Sequence, residues 1–230
     1  DLLCPMFPGM ILRQGCNQQA DDQRPCRGAS EDDVMNAKDY IELEGTYGAH
    51  NYHPLPVVIS KAKGVWVWDV EGKKYMDMLS SYSAINQGHL HPKIVKAAVD
   101  QMGRVSLTSR AFSNDRMGPF LKKLCELAGL EMALPMNTGA EAVETSIKLA
   151  RRWGHMKKGI PEDKGEIIVC ENNFHGRTTT IISFSSDPDS KKGFGPFAPG
   201  FVTIPYNDVK AFEKAINKDT IGILVEPIQG

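Results

Sequence analysis

The chain has 230 residues, 41% hydrophobic and 24% charged, with 27 Lys plus Arg against 28 Asp plus Glu for a formal net charge of −1. This composition excludes a disordered, collagenous or disulfide-scaffold protein, and the balanced charge leaves no field to draw it to nucleic acid or anionic lipid. No uninterrupted apolar run approaches the roughly 18–20 residues of a membrane-spanning helix, so neither nucleic acid nor membrane is an expected partner.

Residues 1–36 have no periodicity, mix Arg13, Arg24 and Arg27 with Glu31, Asp32 and Asp33, and read as a poorly ordered leader. Cys4, Cys16 and Cys26 lie here, with Cys125 and Cys170 later; an odd count without a C-x-x-C pair argues against disulfides and for a reducing compartment. The expected location is cytoplasmic, or the mitochondrial matrix if a eukaryotic leader is cleaved. The chain begins at Asp1 and stops at Gly230 just after an apolar run, so both ends are expected to be cut.

Over 37–90 the pattern turns to short β runs: Val57-Val58-Ile59, Val65-Trp66-Val67-Trp68 and Tyr75-Met76-Asp77-Met78. Lys63-Gly64 and Glu71-Gly72 punctuate them, which predicts a small antiparallel meander. His91-Pro92 opens a helix with Ile94, Val95, Ala98, Val99 and Met102 on one face. Residues 115–128 repeat that period and stop at Gly129. Beyond them, strands are expected at 132–136, 166–171, 201–204 and 221–225, and helices at 140–153 and 208–217. Near-continuous apolar strands alternating with helices predict an α/β domain, a mainly parallel sheet flanked by helices, over 91–230.

In such sheets ligands bind beyond the carboxyl ends of the strands, so the residues following each strand hold the candidate chemistry. Thr138-Gly139-Ala140-Glu141 is a capping box at a helix start; its small residues leave first-turn N–H groups open to a phosphate, and it is equally well read as a plain cap. Phe174-His175-Gly176-Arg177 offers an aromatic face, an imidazole and a guanidinium fork, or else a surface loop whose Phe folds inward. Glu226 leaves the last apolar strand, where an acid either pairs with an Arg or polarises a ligand. His50-x-x-His53 and His89-x-His91 lack a third ligand, so no metal is expected. Neither G-x-S-x-G nor G-x-G-x-x-G occurs, which disfavours a serine hydrolase and a dinucleotide fold.

Four ordered segments resemble the class-III pyridoxal-phosphate-dependent aminotransferases: Asn86-Gln87-Gly88-His89-x-His91-Pro92, Asn137-Thr138-Gly139-Ala140-Glu141-Ala142, Phe174-His175-Gly176-Arg177-Thr178 and Glu226-Pro227-Ile228-Gln229-Gly230. The stretch from Tyr47 to Val57 is similar to the ornithine-using branch of that family. The resemblance implies a fold-type I PLP-dependent transferase, truncated before the end of its large domain, working as a homodimer. It implies that Thr138, Gly139 and Ala140 hold the phosphate of pyridoxal 5'-phosphate (PLP), that Phe174 stacks on the ring and that Glu226 lies near it. Arg177, Tyr52 and Tyr82 become substrate-binding residues, with ornithine and 2-oxoglutarate as substrates; 4-aminobutyrate and N-acetylornithine are the alternative donors.

The family's cofactor-linking lysine is expected beyond Gly230, so this chain alone is expected to be inactive. Lys210, Lys214 and Lys218 read as the solvated side of a helix whose apolar face is Val209, Phe212 and Ile216. A reading from another class remains, a non-catalytic phosphate-ligand-binding module.

Overall fold

A computed structural model describes residues 35–230. The leader expected at 1–36, with its three cysteines, lies outside them apart from Met35 and Asn36. The chain divides into two compact units between Phe112 and Ser113.

In the first unit, α1 (Ala37–Tyr47) begins at a capping box: Asn36 accepts from Lys38 N and Asp39 N, and the Asp39 carboxylate accepts from Asn36 N. The sequence reading missed this helix: Tyr40, Leu43 and Tyr47 fall at helical spacing, but the stripe is narrow and none of it is buried. The expected meander follows as β1 (Ile59–Lys63), β2 (Trp66–Asp69) and β3 (Lys74–Met76), antiparallel and in that spatial order. β1 starts at Ile59, two residues after the expected Val57, and runs through the polar Ser60–Lys63, an exposed edge without apolar alternation. Asp69 is buried and held by Tyr75 Oη at 2.7 Å and Lys73 N at 2.8 Å. The Tyr75 hydroxyl above all keeps its carboxyl below the usual range. A single turn, α2 (Ser80–Ser83), has positive φ at all four residues. α3 (Pro92–Met102) then starts, as expected, with proline at its first position.

The second unit opens with α4 (Met117–Ala128), stopped by Gly129 in the left-handed conformation at φ 67°. The strand expected at 132–136 does not form, and this part of the sequence reading is corrected: the segment is loop. Pro135 removes a ladder donor, Met132 and Leu134 are exposed, and no described strand lies alongside to make a ladder. α5 (Gly139–Trp153) runs into a π turn (Gly154–Lys158) and is followed by β4 (Glu166–Cys170), the short α6 (Thr179–Ile182), β5 (Phe201–Ile204), α7 (Val209–Ala215) and β6 (Thr220–Leu224). The three strands pair parallel in the order β5-β4-β6.

β4 is buried on both faces, and its alternation divides the core in two. Ile167 and Val169 join Ile147, Ile181, Phe184 and Ile221, with Ala140, Val143 and Ala150 of α5 packed against them. Ile168 and Cys170 join Ile204, covered by Ala211, Phe212 and Ala215 of α7. The helices therefore cover opposite faces of a parallel sheet, the layering that the strand and helix alternation predicts. At Gly154 a Cβ would lie 2.4 Å from Ile221 Cγ2, so the π turn presses its backbone onto β6. Lys210 and Lys214 are exposed on α7, as expected; Lys218 is exposed too but lies past the helix, which ends at Ala215. The core-facing side of α7 is Ala211, Phe212 and Ala215, while the expected Val209 and Ile216 are exposed.

Candidate active site

The capping box of α5 is formed. Glu141 N donates to Thr138 Oγ1 at 3.1 Å, while the Glu141 carboxylate accepts from Thr138 N at 3.2 Å and from Asn137 N at 2.9 Å. The carboxylate is thereby engaged with the residues ahead of the helix. The N–H groups of Gly139 and Ala140 have no intrahelical acceptor, and nothing lies within 4 Å of where a Gly139 Cβ would be. Open donors at the positive end of a fifteen-residue helix suit an anion.

The loop after β4 is fastened against that helix start. A Cβ on Gly176, whose φ is 126°, would approach Ala140 Cβ to 3.2 Å and Ile181 Cδ1 to 2.9 Å. Thr178 Oγ1 donates a short hydrogen bond to Glu144 of α5. Asn173 Nδ2 pins the loop from behind, donating to Cys170 O at 2.6 Å and Phe184 O at 3.2 Å. Phe174 is left with 65% of its surface exposed, an uncovered ring face with the Arg177 guanidinium carbon 5.9 Å from its centroid.

Glu226 closes the third side. Its carboxylate accepts from Phe174 N at 3.3 Å, and the backbone around it is tied down by Tyr206 Oη, which donates to Glu226 O at 3.0 Å and Pro227 O at 3.1 Å. Gln229 Nε2 donates to Glu171 O at 2.8 Å. Glu226 also borders an open cavity of about 500 Å³ lined by Cys170, Ile204, Tyr206 and Phe212. Burial first, then the Glu226 charge, pushes the Cys170 thiol up, so it stays protonated and is no nucleophile. Thr138, Gly139, Ala140, Phe174, Arg177 and Glu226 are thus linked through one network at the carboxyl ends of β4 and β6. Tyr52 and Tyr82 belong to the first unit, where they are 54% and 79% exposed. Glu144 and Tyr206 were missed from sequence, because each acts on a residue 20 or more positions away.

His175 sits behind the loop, its ring 5.9 Å from that of Phe184 and its Nε2 buried with no hydrogen-bond partner among the described residues. Burial pushes its pKa down, and the Glu226 carboxylate partly opposes this. A histidine whose folded pKa lies below its unfolded value binds more protons when unfolded, so stability falls as pH drops below about 6.5 and is fully recovered above it. We expect the melting temperature to fall between about pH 7 and pH 5, and His175→Leu to flatten that slope. An equally steep slope in the variant would assign the acid sensitivity elsewhere.

Residues 47–230 match the aminotransferase class-III family. The chain belongs to the class-III aminotransferases. The ornithine aminotransferase of Bacillus cereus (strain Q1) is 59% identical over 197 residues, covering 86% of this chain and 50% of the relative. Among solved structures, an ornithine aminotransferase from Toxoplasma gondii with partial occupancy of PLP at its active site matches with a TM-score of 0.84 at 44% identity, covering 86% of this chain and 47% of that one. An acetylornithine aminotransferase from Elizabethkingia anophelis matches at 0.72 and 50% identity, over 85% of this chain and 45% of its own. The fold-type I architecture expected from the motifs therefore stands, and the chain spans about half the length of the curated relatives it matches. Among the described residues, no helix is long and apolar enough to cross a membrane.

Proposed function

We propose that this class-III aminotransferase chain supplies the cofactor-gripping and carboxylate-binding part of an ornithine aminotransferase, which moves the δ-amino group of ornithine to 2-oxoglutarate and yields glutamate 5-semialdehyde and glutamate. The observation that carries the reading is the network joining an open helix N-terminus, an uncovered phenyl face and a guanidinium at the ends of β4 and β6. PLP, when bound, supplies the carbonyl that takes up the amino group and the conjugated ring that spreads the resulting electron pair.

The residues fit that group. Gly139 and Ala140 N–H, with the Thr138 side chain beside them, would hold the phosphate by charge-assisted hydrogen bonds; Phe174 would offer its face to the ring, and Glu226 would stand near it. Arg177 takes the substrate α-carboxylate in a two-pronged contact that fixes which end of the diamine reacts. Tyr52 and Tyr82 are assigned to substrate on motif similarity. In this reading residues 91–230 are the first part of the large PLP-binding domain, and 37–90 the N-terminal segment. The protein works as a homodimer in the cytoplasm, which the free thiols of Cys125 and Cys170 suit. A second reading, transfer from N-acetylornithine, is supported by the 50% identity to the Elizabethkingia enzyme.

Gly139→Pro tests the phosphate grip. Proline is tolerated at the first helical position, where it deletes one donor and leaves the helix start intact. In the full-length protein this variant is expected to weaken PLP binding about tenfold or more, the worth of one hydrogen bond to a charged group, with the melting temperature of the PLP-free protein unchanged. Equal affinity in both proteins would move the phosphate away from α5.

A further inference from the structure

Tyr82 stands on a backbone that needs support. Ser80, Ser81, Tyr82 and Ser83 have φ of 51°, 50°, 54° and 68°, a left-handed run that each L-residue resists through the clash of its Cβ with the following carbonyl. Internal hydrogen bonds from Ala84 N to Ser81 O and from Ile85 N to Ser80 O close the turn without explaining why it starts.

The start is set by Asp77. Its Oδ1 accepts from Leu79 N at 2.9 Å and Ser80 N at 2.8 Å, and its Oδ2 meets His89 Nε2 at 2.8 Å. Both partners are anchored to the β1–β2 turn. Asp77 N donates to Val65 O, and His89 exchanges two backbone hydrogen bonds with Gly64 at 2.8 and 2.9 Å. The approach is close: a Cβ on Gly88 would lie 3.2 Å from the Gly64 backbone. The segment 78–88 is therefore a loop whose two feet are joined by the Asp77–His89 side-chain hydrogen bond, with Tyr82 at its exposed crown. Ser80 N–H first, then His89, keep the Asp77 carboxyl below the usual carboxylate range.

We propose that the Asp77–His89 pair is a positioning element for donor selection, holding the left-handed turn that presents Tyr82 and so setting the preference for ornithine. The proposal rests on the assignment of Tyr82 to substrate made above. Neither Asp77 nor His89 need touch the substrate; they act through the turn.

The test uses the full-length PLP-loaded protein and two readouts. In hydrogen exchange, Asp77→Ala is expected to speed exchange across 78–88 about tenfold or more, leave α5 unchanged, and be largely rescued by Asp77→Asn, which keeps an oxygen for Leu79 and Ser80 N–H. In kinetics, Asp77→Ala should lower the ratio of kcat/KM for ornithine to that for 4-aminobutyrate by about the factor that Tyr82→Ile produces, with the double variant no worse than either alone. Unchanged exchange across 78–88 overturns the clamp. A ratio that shifts in Tyr82→Ile but not in Asp77→Ala overturns the positioning role and leaves the Tyr82 assignment intact. Faster exchange in Asp77→Ala with no shift in Tyr82→Ile sinks the Tyr82 assignment, overturns the link to donor choice and reduces the clamp to a structural one.

Discussion

Arg177→Lys in the full-length protein is expected to lower kcat/KM for ornithine about 100-fold, mainly through KM, with PLP affinity close to that of the parent. The charge survives the substitution, but the planar fork does not. A guanidinium grips a carboxylate through two parallel N–H···O contacts, whereas an ammonium offers one point charge on a flexible stem. Losing one charge-assisted bond and the orientation it gives costs about 2–3 kcal/mol, which is the 100-fold. The flat group 5.9 Å from the Phe174 ring centroid is removed as well, so the phenyl face loses a neighbour. A variant that turns over ornithine at the parent rate would remove Arg177 from the carboxylate site.

Gly176→Ala in the full-length protein tests the joint between the β4 loop and α5. With φ at 126°, this backbone suits glycine alone, and the added methyl would meet Ile181 Cδ1 at 2.9 Å and Ala140 Cβ at 3.2 Å. We expect a loss of about 2–3 kcal/mol in chemical denaturation, combining backbone strain with overpacking. Gly193→Ala separates the two. Its φ is 82° and its Cβ would meet nothing within 4 Å, so only the backbone cost of about 1 kcal/mol applies. Ile181→Val deletes the offending Cδ1 and should recover part of the Gly176→Ala loss in a double-mutant cycle. Equal costs at positions 176 and 193 would mean that the loop yields to the methyl and is not held against the helix.

What the sequence discloses here follows the range of the interaction responsible. The α5 start is legible because its capping box spans four consecutive residues, and β4 because burial on both faces leaves a continuous apolar run; β5 and β6 show as short β-branched runs although Thr203 and Ile223 are exposed. Met132–Met136 has the same apolar look and is loop, since a strand is defined by a neighbour that no local pattern reports. α1 was overlooked for another reason, a capped helix whose narrow Tyr40–Leu43–Tyr47 stripe is not buried against anything. In the site, Thr138, Phe174, Arg177 and Glu226 are flagged by residue type and by motif. The bond from Phe174 N to Glu226 across 52 positions, and that from Thr178 to Glu144 across 34, exist only once the sheet has formed. The left-handed run at Ser80–Ser83 gave no signal at all, because serine and tyrosine are not residues that advertise positive φ.

β4 divides two cores, each of them apolar, and this has a consequence for accuracy of assembly. On a strand wet on one side, sliding by one residue would throw every greasy side chain into water, and hydrophobicity alone forbids it. On β4 the same slip would merely trade Ile167 and Val169 for Ile168 and Cys170, oil for oil. Alignment must then be enforced at the strand's two ends: Glu166 N held by Asp219 O and Glu171 N by Ile204 O, with the Asn173 amide latched onto Cys170 O. A misaligned β4 would carry the Phe174 ring about 3.3 Å along the strand relative to the start of α5. Polar latches at the rim, and not grease in the middle, keep this pocket in focus.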